Sequence, residues 1–246
     1  MNTLLMTLRE YTTGALNIVI GDSANVHSTT ALRIISEVSG IIPTMSCQYI
    51  KFPSQLEVRS VMDGFHHNLI IWDIVAWWPG SVHGSTIFHN CARWAQSENG
   101  EIPVSHLLAD SGYACKPYLL PPLSNPQSLA DHQYNRSDVT TRKTVERQYG
   151  LWKKRFPILS MGMRCNPQKT MAFIVSTAVL HNIARSTSKE EPPEGIGIMW
   201  LLRLLCSERG LNIDNNEPMP PCQQMYHDDT LLGRADHRTI IDEHFY

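Results

Sequence analysis

Between Leu107 and Pro157 the chain carries LLADSGYACKPYLLPPLSNPQSLADHQYNRSDVTTRKTVERQYGLWKKRFP, and this stretch constrains the fold more than any other. An aspartate, Asp110, follows a short apolar run that reads as a strand over 104–108 and stops at Ser111-Gly112. A lone glutamate, Glu146, sits inside a basic helical segment 36 residues later. Carboxylates that far apart can meet only through tertiary structure, as a metal site requires. Each also has a local explanation. Asp before Ser-Gly is ordinary turn chemistry, and Glu146 can pair with Arg142 one helical turn earlier.

Charge is concentrated in the same stretch. From Arg142 to Arg155 there are six basic residues, Arg142, Lys143, Arg147, Lys153, Lys154 and Arg155, against Glu146 alone, in a chain whose formal net charge is −2. With no global basic excess, this helix is the best candidate for contact with a phosphate backbone. Val145, Tyr149, Trp152 and Phe156 fall at helical spacing and predict its buried face. Ser137 or Asp138 would cap its start, and Pro157 would stop it. Before it, Pro117, Pro121, Pro122 and Pro126 predict an extended loop.

Upstream, residues 2–20 show helical periodicity. A turn follows at Gly21-Asp22-Ser23, and Ser28 is placed to cap a second helix. Two readings stand: two ordinary packed helices, or a helix-turn-helix whose second member offers Thr29, Thr30 and Arg33 to DNA. Pro43 and Pro53 bracket an extended connection containing Gln48–Phe52, and Glu57–Phe65 reads as a short helix. LIIWDIVA (69–76) reads as a buried or half-buried strand ended by a Pro-Gly turn. Ser85–Ala95 reads as a helix, and KTMAFIVSTAVLHNIA (169–184) as a core helix whose His181 and Asn182 are satisfied internally. The remaining chain is polar and Pro-rich until Thr239–Phe245.

Several classes are excluded. The six cysteines are spread without a C-x-x-C pair, which argues against a disulfide scaffold or a zinc module and suits a reducing compartment. The first ten residues lack a charged start followed by an apolar block, and no apolar run approaches a bilayer span, so a soluble intracellular protein is expected. Phosphate-loop, nucleophile-elbow and dinucleotide fingerprints are absent. Among the histidines, the adjacent His66-His67 make a poor chelate, and His83 is placed to orient a neighbour.

DIVAWWPGSVHGSTIF (73–88), LLADSGYACKPYLLPPLSNPQ (107–127), YNRSDVTTRKTVERQYGLWKKRFPIL (134–159) and AVLHNIA (178–184) together resemble the PIF/Harbinger DDE transposases, in particular the domesticated Harbinger transposase-derived nucleases of animals. The resemblance implies an α/β, RNase H-like nuclease core over 46–185, preceded by a helix-turn-helix-like segment over 1–45 and followed by an irregular tail over 186–246. It implies three carboxylates that bind Mg²⁺ or Mn²⁺ for DNA strand cleavage. Asp110 matches the second acid and Glu146 the third. It also implies DNA as substrate, a Myb-like DNA-binding partner, and a nuclear location with the cytoplasm as a second one.

The departures are specific. Gly64-Phe65-His66-His67 runs almost directly into Leu69–Ala76, where the family carries its first acid and two surrounding strands. Neither Asp63 nor Asp73 matches that acid. Ala109 stands where the family has Gly, and Gly84 where it has Asp. Residues 195–213 read as an insertion. From the first acid's absence, weak or no catalysis is expected, and the alternative is a non-catalytic DNA- or protein-binding remnant.

Overall fold

The computed structural model describes residues 3–101, 106–163 and 165–187. Helix continues through Ser186 and Thr187, the first two residues of the expected irregular tail; the rest of that tail, with the terminal helix over 239–245 and the insertion over 195–213, lies outside the described residues. In chain order the elements are α1 (Thr3–Thr13), α2 (Asn17–Ala24), α3 (Ser28–Ile41), α4 (Ser46–Tyr49), α5 (Gln55–Asn68), α6 (Gly84–His89), α7 (Ala92–Glu98), β1 (Leu107–Leu108), β2 (Leu119–Leu120), α8 (Leu129–Arg155) and α9 (Pro167–Thr187). Short 3-10 turns cover Ile42–Met45 and Pro157–Leu159. The two strands pair in parallel, Leu107 with Leu119 and Leu108 with Leu120. Helices dominate, and the small sheet is compatible with the expected α/β class. Among the described residues no helix is long and apolar enough to cross a membrane.

Two compact units divide these elements. The first takes the described residues up to Phe52, His67–Trp77, and those from Glu146 onward; the second takes Pro53–His66 and Trp78–Val145. Helices α5 and α8 run through both.

The first unit is built on α1, α3 and α9. Tyr11 is its centre: its ring meets Phe156 and Phe173 edge-on, at centroid distances of 6.5 and 5.4 Å. Its hydroxyl is 2.6 Å from Ser39 Oγ, which satisfies the one polar atom the ring carries inward. Leu8, Ile20, Ala31, Ala178, Val179 and Ala184 around it are closed to solvent. The helical periodicity of residues 2–20 resolves into two helices, because Gly14 takes φ +62° between them, a backbone conformation that side-chain-bearing residues rarely adopt. The second turn falls later than expected, at Asn25-Val26, because Gly21-Asp22-Ser23 lie in the last turns of α2; His27, not Ser28, then caps α3, its Nδ1 accepting from Thr29 N–H at 3.3 Å. Residues 46–49 form a helical turn where an extended connection was expected.

LIIWDIVA belongs to no strand or sheet among the described residues, and its first residue, Leu69, takes φ +49°. Its backbone is held by side chains of α9 instead. Asn182 Oδ1 accepts from Ile71 N–H at 2.9 Å, while Asn182 Nδ2 donates to Ile71 O and Tyr49 O, both at 2.7 Å. His181 Nε2 is 2.9 Å from Leu69 O, and Arg185 Nε donates to Asn68 O at 3.0 Å. The expectation that His181 and Asn182 are satisfied internally holds, and the partner is this segment. The side chains do for Asn68–Ile71 what an adjacent strand does in a sheet.

In the second unit, the helix expected over 85–95 is interrupted at Asn90-Cys91, giving α6 and α7. α8 begins nine residues before the expected cap. Ser128 Oγ accepts from Asp131 N–H at 3.1 Å, and Asp131 Oδ2 accepts from Ser128 N–H at 3.2 Å. That reciprocal capping box starts the helix at Leu129. The buried face of α8 differs too: Trp152 and Phe156 are buried, but Val145 and Tyr149 are exposed. All four share one helical face, yet only its C-terminal end has apolar core to meet.

Candidate functional site

Asp110 emerges directly from the sheet. Ala109 N–H still bonds to Leu120 O at 3.1 Å, extending the parallel ladder by one residue. At Asp110 the chain leaves the sheet in an Asx turn: Oδ1 accepts from Gly112 N–H at 2.8 Å, and Tyr113 N–H bonds back to Asp110 O at 3.2 Å. The side chain is exposed at the carboxyl end of β1. In open α/β sheets ligands gather at the carboxyl ends of strands. One carboxylate oxygen is thus anchored, and the anchor fixes the direction of the other.

The Trp78-Pro79-Gly80-Ser81 turn delivers a second group to the same corner. His83 caps α6, with Ser85 N–H donating to Nδ1 at 3.3 Å and Ser85 Oγ 2.7 Å from that nitrogen. The His83 ring lies on the Asp110 turn, because Gly112 has no side chain to keep it away. A Cβ on Gly112 would sit 2.8 Å from His83 Cε1, 3.0 Å from His83 Nε2 and 3.0 Å from Asp110 Oδ1. Gly84 makes the reciprocal approach: a Cβ there would be 2.8 Å from the Tyr113 hydroxyl. Phe88 completes the corner, edge-on to Tyr113 at 5.9 Å. His83, read from sequence as able to orient a neighbour, both caps a helix and adjoins Asp110.

Glu146 is exposed on α8 and belongs to the first unit, whereas Asp110 belongs to the second. Among the described residues, no group of three or more His, Cys, Asp or Glu side chains is gathered where it could hold a metal ion. As donors, Asp110 and Glu146 are oxygen ligands of the hard type that Mg²⁺ and Mn²⁺ take, so their chemistry fits such an ion. The three residues between Phe65 and Leu69, where the resemblance implies a first acid, are His66, His67 and Asn68, none of them a carboxylate.

Arg142 pairs with Asp138 at 3.7 Å, one turn behind it, and not with Glu146. Asp138 is a residue that sequence reasoning missed in this role. Its side chain is fully buried, and burial raises its carboxyl above the usual range against the opposing pull of Arg142. The signal was present: Ala130, Tyr134 and Asp138 recur every four residues and are all buried.

Of the expected DNA-facing residues, Lys143, Arg147, Lys153 and Lys154 are exposed and Arg142 is partly so. Arg155 is not on that surface. It is 1 % exposed, with Nη1 3.0 Å from His181 Nδ1 and donating to His181 O at 3.4 Å, because it directly precedes the buried Phe156 on the turn that enters the core. At the N-terminus, Thr29 and Arg33 are exposed and Thr30 partly exposed along the first turns of α3. The Thr29 hydroxyl is 2.9 Å from His27 Nδ1, so it is already engaged at the cap.

The family model for DDE superfamily endonucleases matches residues 60–182, half of the chain, and the chain belongs to that family. It is similar to "Putative nuclease HARBI1" of Mus musculus, 25 % identical across 78 % of this chain and 72 % of the relative. The Homo sapiens protein of that name is 23 % identical across 74 % and 66 %. "Protein ALP1-like" of Arabidopsis thaliana is 26 % identical over a shorter span, 45 % of this chain and 31 % of the relative. No solved structure matches it. The resemblance to transposase-derived nucleases read from the motifs is thereby established.

Proposed function

We propose that this transposase-derived, nuclease-like protein binds DNA and a divalent cation through an RNase H-like core, with Asp110 and Glu146 as the two protein carboxylates on the ion and with weak strand cleavage. The observation that carries the reading is Asp110 itself: a solvent-facing carboxylate at the carboxyl end of a parallel strand, with one oxygen anchored by Gly112 N–H at 2.8 Å. Mg²⁺ or Mn²⁺ would supply Lewis acidity toward a phosphate and acidify a water for attack. The chain's own contribution is to hold Asp110 in one orientation and to present Lys143, Arg147, Lys153 and Lys154 to the backbone of the nucleic acid. Arg33 and the first turn of α3 would form a second, helix-turn-helix-like contact. A DNA substrate calls for a nuclear location.

Two carboxylates are thin support for the two-ion arrangement of phosphodiester cleavage. Loss of one ligand from such a site costs orders of magnitude in rate. Purified full-length chain should therefore bind Mn²⁺ weakly, with binding abolished by Asp110→Asn and weakened by Glu146→Gln, and should nick supercoiled plasmid at most slowly. Mn²⁺ affinity unchanged in both variants would overturn the reading. The missing first acid leaves a second reading, a DNA-binding remnant without cleavage. It predicts salt-sensitive DNA binding that survives Asp110→Asn and needs no metal.

A further inference from the structure

We propose that His83 is a further residue of the Asp110 site, a neutral hydrogen-bond donor to a phosphate oxygen of DNA bound beside that carboxylate. The inference deepens the nuclease reading above and rests on it for the identity of the ligand.

Two independent observations carry it. The first is the state of the ring. Ser85 N–H, which can only donate, points at His83 Nδ1 from 3.3 Å. Nδ1 must therefore present a lone pair, and the neutral imidazole keeps its proton on Nε2. The helix cap acts as a tautomer lock: one nitrogen is committed to α6, which leaves the other as a donor. The second is where that donor stands. Nε2 and Asp110 Oδ1 each lie 3.0 Å from the same point above Gly112 Cα, so they are separated by no more than twice that distance. His83 and Asp110 are both exposed, so the space they flank is open to a ligand. Metal ligation by Nε2 does not suit this arrangement, because the locked tautomer has no lone pair there. A phosphate oxygen suits it, since it accepts a hydrogen bond from an uncharged donor while its charge is met by whatever Asp110 holds. Gly112 is the enabling residue, because any side chain would fill the gap.

His83→Asn separates this role from the structural one. Asparagine is a good helix cap, so it preserves the bond from Ser85 N–H but removes the Nε2–H donor. The measurement is fluorescence anisotropy of a labelled DNA duplex titrated with full-length protein in Mn²⁺, across a range of salt concentrations. His83→Asn should weaken binding about tenfold, as expected for a hydrogen bond to a charged acceptor. The slope of log affinity against log salt should not change, because a neutral donor displaces no counterion. Melting temperature and circular dichroism should match the wild type. If Asn fails to fold, His83→Ser, which also caps, takes its place. Unchanged affinity would overturn the proposal, and so would a shallower salt slope, which would make His83 a cation. Asp110→Asn in the same assay, with Mn²⁺ affinity read separately, keeps the two readings apart. Loss of Mn²⁺ binding there, with no effect of His83→Asn on DNA, sinks only the His83 contact. Unchanged Mn²⁺ binding there, with His83→Asn still weakening DNA, sinks only the metal reading.

Discussion

Arg155 Nη1 stands 3.0 Å from His181 Nδ1, and both side chains are closed to solvent. A guanidinium can only donate, so His181 accepts at Nδ1 and donates from Nε2 to Leu69 O, 2.9 Å away. The last basic residue of α8 thus holds α9, and through it the segment at Leu69, and is unavailable to DNA. Arg155→Gln should cost roughly 2–4 kcal/mol of stability, as breaking a buried charged network does. At temperatures where the variant is folded, its DNA affinity should match the parent. Lys153→Gln with Lys154→Gln should do the reverse: stability within about 0.5 kcal/mol of the parent, and a salt slope for DNA binding shallower by nearly one per charge removed. Chemical denaturation and a salt titration of DNA binding read the two effects. A drop in salt slope for folded Arg155→Gln would restore Arg155 to the interface.

The same burial makes stability depend on pH. Burial foremost, and the Arg155 charge next, push the His181 imidazole down from its ordinary 6.5 to about 3, while its bond to Leu69 O opposes them. The folded state therefore binds fewer protons than the unfolded one between these values. The stabilisation is complete above pH 6.5 and is lost as pH falls toward 3. At pH 5 the loss should be about 2 kcal/mol. Urea midpoints at pH 7.5 and 5.0, measured in a Glu10→Gln background, should differ accordingly. Equal midpoints there would mean that His181 is solvated in the folded protein.

Glu10 supplies the opposing slope, which is why the background matters. Burial raises its carboxyl from 4.5 to about 7, with Lys169 pulling it down, and Oε2 has no hydrogen-bond partner among the described residues. A raised carboxyl contributes stability that is present below pH 4.5 and lost as pH rises through 7. Glu10→Gln should accordingly stabilise the protein at pH 8 by about 3 kcal/mol, and by less than about 0.5 kcal/mol at pH 4.5. A destabilised Glu10→Gln at pH 8 would show that the charged carboxylate has a favourable partner.

Where local chemistry decides the outcome, the sequence was readable. The core helix over 169–184, the stop at Pro157, the strand ending at Asp110 and the break at Gly112 all follow from periodicity and turn residues. What escaped was chosen by tertiary partners. LIIWDIVA has every mark of a strand, yet joins no sheet among the described residues, because Asn182 and His181 satisfy the backbone of Leu69 and Ile71. Arg155 counts as surface charge in any linear tally, and only the position of His181 shows it to be buried. Asp138 was visible as one of three residues at four-residue spacing, but a carboxylate on a buried stripe is a pattern that periodicity alone discounts. The pairing of His83 with Asp110 depends on the missing side chain of Gly112, and no spacing rule over 27 residues anticipates that.

Asn182 is the sharpest test of this side-chain substitute for a sheet. Its amide makes three bonds to main chain, one accepted from Ile71 N–H and two donated, to Ile71 O and Tyr49 O. At 2 % exposure, water cannot replace them. Asn182→Leu leaves all three backbone groups without the amide in a closed site and should cost on the order of 3 kcal/mol. Asn182→Asp should cost more, although it is closer in shape. The carboxylate keeps the acceptor for Ile71 N–H but turns an oxygen toward two carbonyl oxygens, adding repulsion to the burial of a charge. Amide hydrogen exchange at Ile71 localises the effect: protection should fall in Leu, fall further in Asp, and change little at the Tyr11 amide in the middle of α1. If Ile71 protection were the same in the parent and in Asn182→Leu, the segment would be held by apolar packing of Leu69 and Ile71 alone, and the amide would be incidental.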